Sequence, residues 1–300
     1  MKKILSVFLV LLAVLTLSSC KGDDEPAART YVADGKYTAF EAQMYDGAPQ
    51  LTWVTVTIKN DKIESFYIDQ LQTKDGAWKE QTKKELGYAY RMHGQWSLSE
   101  EDYKAYLAEN NLKEWFEQAN LIEAHFLNTL EVTVDSANKI QGITGVTIAD
   151  NAYIALAKKA VENAKAGIVN VFVANTYSGA VNLTSAAAKV NAEGKITEVK
   201  IDELQTSEGA WKAQTKQQLG YGYRMHATGA NGHFVSSEAD YKAYLVAEGK
   251  LEWFQQVDAV ASAWLNGSNI SNISSVTGVT ISDSDYTTVL TKLIQEGWTR

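Results

Sequence analysis

Ile143-Thr144-Gly145-Val146-Thr147-Ile148 returns almost unchanged as Val276-Thr277-Gly278-Val279-Thr280-Ile281. Each copy reads as a strand-like run rich in Thr and Val, placed just before an amphipathic helix. In both copies two hydroxyl side chains flank a glycine, and a glycine lets backbone approach a ligand closely. The amides at the start of the following helix can donate to an anion. The stretch therefore reads as a place to hold a phosphate-bearing ligand, and its recurrence marks a duplicated chain.

Working outward, the duplication covers most of the sequence. Leu71-Gln72-Thr73 through Ala77-Trp78-Lys79 to Leu86-Gly87-Tyr88-Ala89-Tyr90-Arg91-Met92-His93 matches Leu204-Gln205-Thr206 through Ala210-Trp211-Lys212 to Leu219-Gly220-Tyr221-Gly222-Tyr223-Arg224-Met225-His226. Asp102-Tyr103-Lys104-Ala105-Tyr106-Leu107 with Glu114-Trp115-Phe116 matches Asp240-Tyr241-Lys242-Ala243-Tyr244-Leu245 with Glu252-Trp253-Phe254. The second copy carries extra residues around Thr228 to Gly232 and is shorter near Asn266 to Ser274, changes that surface loops tolerate and cores do not. A repeat this long implies tandem domains, placed at 31–166 and 167–300.

Within a unit the periodicities change along the chain. Gly35 to Met44 and Val169 to Tyr177 read as extended. Trp53 to Lys59 alternates as a half-buried strand, Asn60-Asp61 turns, and Lys62 to Leu71 runs back. In the second unit, Ala186 to Asn191, Glu193-Gly194 and Lys195 to Leu204 do the same. Trp78 to Leu86 reads as a helix stopped by Gly87. Ser99-Glu100-Glu101-Asp102 resembles a capping box opening a helix through Leu107, with a counterpart near Ser237 to Asp240. Leu112 to Leu130 and Leu251 to Leu265 carry apolar residues at helical spacing. Asn151 to Ala166 and Ser284 to Gly297 close the units, capped by Asp150 and by Ser282-Asp283-Ser284-Asp285. The expected class is α+β: a small antiparallel sheet, a helical insertion and a C-terminal helix, written twice.

The first twenty residues stand apart from this fold. Lys2 and Lys3 form a basic n-region, Ile4 to Thr16 is an apolar run, and Leu17-Ser18-Ser19 leads into Cys20. Small residues before a cysteine resemble the lipobox of bacterial lipoproteins. That resemblance implies a signal peptide over 1–20, lipidation of Cys20, a solvated tether over 21–30 and a lipid anchor on the extracytoplasmic face of the cell membrane. Cys20 is the single cysteine, which leaves no thiols for a disulfide or an iron–sulfur cluster. The formal charge of −8 argues against nucleic acid as a partner.

Asp34-Gly35-Lys36-Tyr37, the hairpin Val56-Thr57-Ile58-Lys59-Asn60-Asp61-Lys62-Ile63-Glu64 and the late Thr-Gly-Val-Thr together resemble the FMN-binding domain family. The Trp-Lys, Gln-Thr-Lys, Leu-Gly-Tyr and Glu-Trp-Phe blocks are similar to those of its two-domain surface lipoproteins. The resemblance covers nearly all of the chain after the leader. It implies an extracytoplasmic flavoprotein with one FMN on each unit, joined through its phosphate to Thr147 and Thr280 by a flavin transferase. It also implies electron transfer from a membrane donor to an extracytoplasmic acceptor, and so a carrier in place of a substrate-converting enzyme. Gly145 and Gly278 match the family glycine, and Thr144 and Thr277 the first hydroxyl position. Val146 and Val279 stand where the family has alanine, and Gln141 and Ser274 where it has an aspartate that the transferase reads.

An isoalloxazine ring needs flat apolar surface and a few donors. Trp78, Tyr90, Met92 and their repeats Trp211, Tyr223 and Met225 are the candidates, with Tyr88 and Tyr221 beside them. Lys79, Lys212, Arg91 and Arg224 are candidate donors. Trp115, Trp253, Phe116 and Phe254 read as core of an amphipathic helix. His93 and His226 recur but lack zinc-site spacing, and His125 and His233 have no counterparts. Two other readings remain open from the residues: a lipoprotein binding a phosphate-containing ligand for uptake or sensing, and a duplicated structural or adhesion module.

Overall fold

The computed structural model describes residues 29–177, 179–227, 235, 237–268, 270, 273–281 and 285–300. The leader with Cys20, most of the tether, the insertion at Thr228 to Gly232, His233 and the cap signal Ser282-Asp283-Ser284 lie outside the described residues.

Strands β1 (Gly35–Tyr45), β2 (Ala48–Lys59), β3 (Lys62–Lys74) and β4 (Ala77–Trp78) form one antiparallel sheet in sequence order. Asn60 and Asp61, both at positive φ, turn the β2–β3 hairpin. Helices α1 (Lys83–Leu86), α2 (Glu100–Glu109) and α3 (Trp115–Phe126) follow, then the small ribbon β5 (Thr133–Val134) and β6 (Ile140–Gln141), then α4 (Tyr153–Ala166). The second unit repeats the plan with β7 (Ile168–Tyr177), β8 (Ala180–Val190), β9 (Ile196–Ser207) and β10 (Ala210–Trp211) in the order β10-β9-β8-β7. Helices α5 (Lys216–Leu219), α6 (Glu238–Ala247), α7 (Trp253–Leu265) and α8 (Asp285–Gln295) complete it. The class is α+β with two antiparallel sheets and, among the described residues, eight α-helices.

Alternation along the long strands buries one face. Val54, Val56 and Ile58 of β2 and Phe66 and Ile68 of β3 point at Trp115, Ala119, Ile122 and Phe126 of α3 and at Tyr153, Ala157 and Ala160 of α4. The second unit sets Ala186, Ala188, Val190 and Ile201 against Trp253, Val257 and Val260 of α7 and Val289, Leu290 and Leu293 of α8. These side chains form one continuous buried cluster, because β1 and β7 lie against each other. Phe172 meets Phe40 at 5.2 Å and Trp53 at 5.3 Å, and Asn163 and Asn170 both donate to the Thr38 carbonyl. Trp298, 2% exposed, packs edge-on to Tyr37 at 5.2 Å.

Three local expectations are corrected. Thr-Gly-Val-Thr is not a strand: the Val146 amide donates to the Ile143 carbonyl at 3.1 Å, and Gly145 has φ +83°, as the third position of a type II turn requires. Val279, Val276 and Gly278 (φ +80°) repeat that turn. Trp78 belongs to β4 and not to a helix, since its neighbours close a short hairpin with β3 before Thr82 caps α1. Finally, Ala152, in left-handed conformation, stands at the start of α4, although the Asp150 carboxylate still takes the amides of Tyr153 and Ile154.

Candidate functional site

Each turn is clamped by one glutamine. Gln118 of α3 is 1% exposed, and its Oε1 accepts from the amides of Thr147 (2.7 Å) and Ile148 (3.2 Å) and from the Thr147 hydroxyl (3.3 Å). Its Nε2 donates to the Lys113 carbonyl at 2.9 Å and faces the Met92 sulfur at 3.6 Å. In the second unit Gln256 takes the amides of Thr280 (2.7 Å) and Ile281 (3.1 Å) and the Thr280 hydroxyl (3.3 Å), and its Nε2 reaches the Leu251 carbonyl and the Met225 sulfur at 3.3 Å. The clamp leaves Val146 and Val279 buried as plugs, while Thr144, Thr147, Thr277 and Thr280 stay exposed. In unit one the amides expected to cradle a phosphate at the helix start are thus engaged within the chain: Asp150 holds those of Tyr153 and Ile154, and Gln118 holds those of Thr147 and Ile148 just after the turn.

Glu114, fully buried at the start of α3, organises the next layer. It caps α3 through Trp115 N, accepts the Met92 amide at 3.2 Å and the Tyr103 hydroxyl at 2.5 Å, and forms a capping box with Glu117. Glu252 does the same for Trp253, Met225 and Tyr241. This layer ties Met92 and Met225 to the turns. Trp115 Nε1 donates to the Tyr153 hydroxyl at 3.3 Å, and Trp253 Nε1 to that of Tyr286 at 2.9 Å.

Beneath the rings lies a buried lysine. Lys83 Nζ stands 5.0 Å from the Tyr90 ring centre, 5.2 Å from Trp115 and 5.7 Å from Tyr45, and donates to Gln70 Oε1 at 2.7 Å. Burial, with Lys79 adding to it, pushes Lys83 down to about 7, against the pull of Asp69 and Glu114. Lys216 holds the matching place, 5.0 Å from Tyr223 and 5.1 Å from Trp253, but pairs with Glu203 at 2.8 Å. Burial, with Tyr45 and Glu114 nearby, raises the Tyr90 phenol to about 12 although Gln72 hydrogen-bonds it. Gln72 Nε2 donates onward to Gln50 Oε1 at 3.2 Å, and Gln50 Nε2 is buried with no partner. Gln50 and Gln72 line a cavity of about 180 Å³ with Tyr45, Pro49 and Thr73.

The structure therefore brings Tyr90, Met92 and Thr147 into one connected cluster, and Tyr223, Met225 and Thr280 into its repeat. Trp78 and Trp211 are placed elsewhere. Their rings lie 5.9 Å apart across the two sheets, Trp78 Nε1 donates to the Asn182 carbonyl, and Trp211 Nε1 to that of Gln43. Lys79 and Lys212 reach Gln72 and Gln205. Arg91 and Arg224 stack on Tyr103 and Tyr241, and His93 and His226 bond the Lys113 and Leu251 carbonyls. Tyr88 and Tyr221 pack edge-on against Phe116 and Phe254. Sequence reading passed over Gln118, Gln256, Glu114, Glu252, Lys83 and Lys216 as site residues. Their signal was a polar residue repeated on an apolar helix face or in the Gln-Thr-Lys block.

No family model matches the chain, and no curated protein matches it. It is similar to a solution NMR structure of a structural-genomics target from Clostridium thermocellum. The identity is 25% with a TM-score of 0.29, over 44% of this chain and 91% of the other.

Proposed function

We propose that the chain is a lipid-anchored extracytoplasmic flavoprotein that carries one FMN on each unit and acts as an electron carrier between a membrane donor and an extracytoplasmic acceptor. The observation that carries this reading is the duplicated turn. It presents an exposed threonine, Thr147 or Thr280, on a glutamine that also meets the Met92 or Met225 sulfur, in the cluster where a buried lysine lies under the Tyr90 or Tyr223 ring.

The residues present fit that group in three respects. Gly145 and Gly278 leave a cradle that a side chain would fill, since a Cβ there would stand 2.9 Å from Lys113 Cε or from Leu251 Cδ1. The hydroxyls of Thr147 and Thr280 make only a long bond to the clamp glutamine, so each is free to be esterified without unfolding the turn. Gln50 Nε2 is a buried donor in want of an acceptor such as a ring carbonyl. With the amides of Thr147, Ile148, Thr280 and Ile281 engaged, phosphate retention would rest on the ester, joined in unit one alone by Lys113. Gln141, in the place of the family aspartate, donates to the Asp135 carboxylate at 3.4 Å, so an acid stands beside that position. Bound flavin would supply reversible one- and two-electron chemistry; Gln118, Met92 and Trp115 would shape its seat, and Lys83 and Lys216 would set the charge behind it.

The test is intact mass of the chain co-expressed with a flavin transferase. Two added flavin phosphates are expected, one lost in Thr147→Ala and the other in Thr280→Ala. An unmodified mass together with a colourless protein rejects the reading.

A further inference from the structure

The two sites share their frame but not their charge. At the turn, Lys113 lies against Gly145, whereas Leu251 lies against Gly278. Behind the rings, Lys83 is held by the neutral amide of Gln70, whereas the equivalent Lys216 is held by the carboxylate of Glu203. The surrounding frames match: Tyr153 donates to Gln70 at 2.9 Å and Tyr286 to Glu203 at 2.8 Å. The swap has a local cost in unit two. Gln70 can donate to Thr52 (2.7 Å) where Glu203 cannot donate to Thr184, whose hydroxyl is buried without a partner.

We propose that the units are inequivalent in ligand charge. Unit one is the anion-preferring site, offering Lys113 to a phosphate and an unneutralised Lys83 to an electron-rich ring. Unit two, with Leu251 and a self-neutralised Lys216–Glu203 pair, holds the same ligand in a less negative state. The remaining charges facing Lys83 do not cancel this. Asp69 of β3 and Glu114 of α3 have counterparts in Asp202 and Glu252, and Lys79 in Lys212. Tyr45 and Tyr90 contribute neutral rings. Lys84 and Glu123 pair with each other at 2.5 Å. Glu117, where unit two has Gln255, turns to Tyr88 and the Glu114 amide. A buried lysine without a carboxylate gains most when a ligand brings the negative charge itself.

The inference rests on the flavin reading for its ligand, and its test separates the two. The full mature chain, made without a flavin transferase, is titrated with FMN and with riboflavin, which lacks the phosphate. Two classes of FMN site are expected, separated by roughly tenfold or more, the effect of a single charge at an effective dielectric near 20. Lys113→Leu should weaken FMN but not riboflavin at the tighter site, and Gln70→Glu should weaken both. Leu251→Lys with Glu203→Gln should tighten the weaker site and close the gap. Lysine-selective NMR of the ligand-free chain should show Lys83 titrating near neutrality and moving upward in Gln70→Glu. Equal FMN sites, unmoved by the exchanges, overturn the inference while leaving the flavin reading intact. Lack of FMN and riboflavin binding at both sites overturns the inference, whatever the lysine titration shows, while the flavin reading itself stands or falls on the mass of the chain co-expressed with the transferase.

Discussion

Gln118 and Lys83 show how single side chains set this site. Gln118 satisfies the Thr147 and Ile148 amides and the Thr147 hydroxyl from a fully packed helix face, so Gln118→Leu leaves the buried Ile148 amide without its acceptor and frees the exposed Thr147. We expect a loss of about 1–3 kcal/mol by chemical denaturation, with Thr147 released from its seat. Lys83 acts in the opposite sense. Its folded value near 7 lies below the ordinary 10.5, so the unfolded chain binds the extra proton between those limits and stability rises with pH across that window. Lys83→Met should therefore stabilise the chain most at and below neutral pH, with the gain fading toward pH 10.5. A denaturation series that shows no pH dependence of the difference would contradict the burial of an unpaired ammonium. Glu203→Gln, which strips Lys216 of its partner, should cost about 3–5 kcal/mol, as breaking a buried pair does.

At the scale of elements, the turn and the start of α3 act together. Gly145 and Gly278 sit at positive φ and pack on Lys113 and Leu251. Gly278→Ala should cost about 1–2 kcal/mol for the left-handed backbone alone, plus the displacement of Leu251. Gly145→Ala should cost less, because the flexible end of Lys113 can move aside. The two midpoints measured side by side check that order; equal losses would mean that the packing at the turn is irrelevant. Helix α3 was legible in the sequence from its apolar spacing, whereas the capping role of Glu114 was not. The turn was not: Thr and Val mimic a strand locally, and it is the clamp from Gln118, distant in sequence, that bends the chain.

For the whole molecule, the join between units matters as much as each sheet. Trp298 from the end of unit two packs on Tyr37 of unit one, and a side chain at Gly35 would collide with its indole. Trp78 and Trp211 clasp the opposite sheets through backbone carbonyls. With one continuous core, the units should unfold in a single calorimetric transition. Trp298→Ala should lower stability by about 3–5 kcal/mol, the range for a large buried aromatic. Two well-separated transitions in the parent chain would show that the shared core does not couple them. Among the described residues no helix is long and apolar enough to cross a membrane.

The sequence by itself determined the duplication, the α+β order of strands and helices, the long hairpins and the helix caps at Ser99 and Ser237. Those depend on local periodicity and on neighbours a few residues away. Tertiary structure alone decided that Thr-Gly-Val-Thr is a clamped turn, that Trp78 and Trp211 bridge the sheets, and that Lys83 and Lys216 lie behind the candidate site with different partners. Each of those outcomes is set by side chains that meet across long sequence separations, where a buried polar group must find its partner or bear the cost of lacking one.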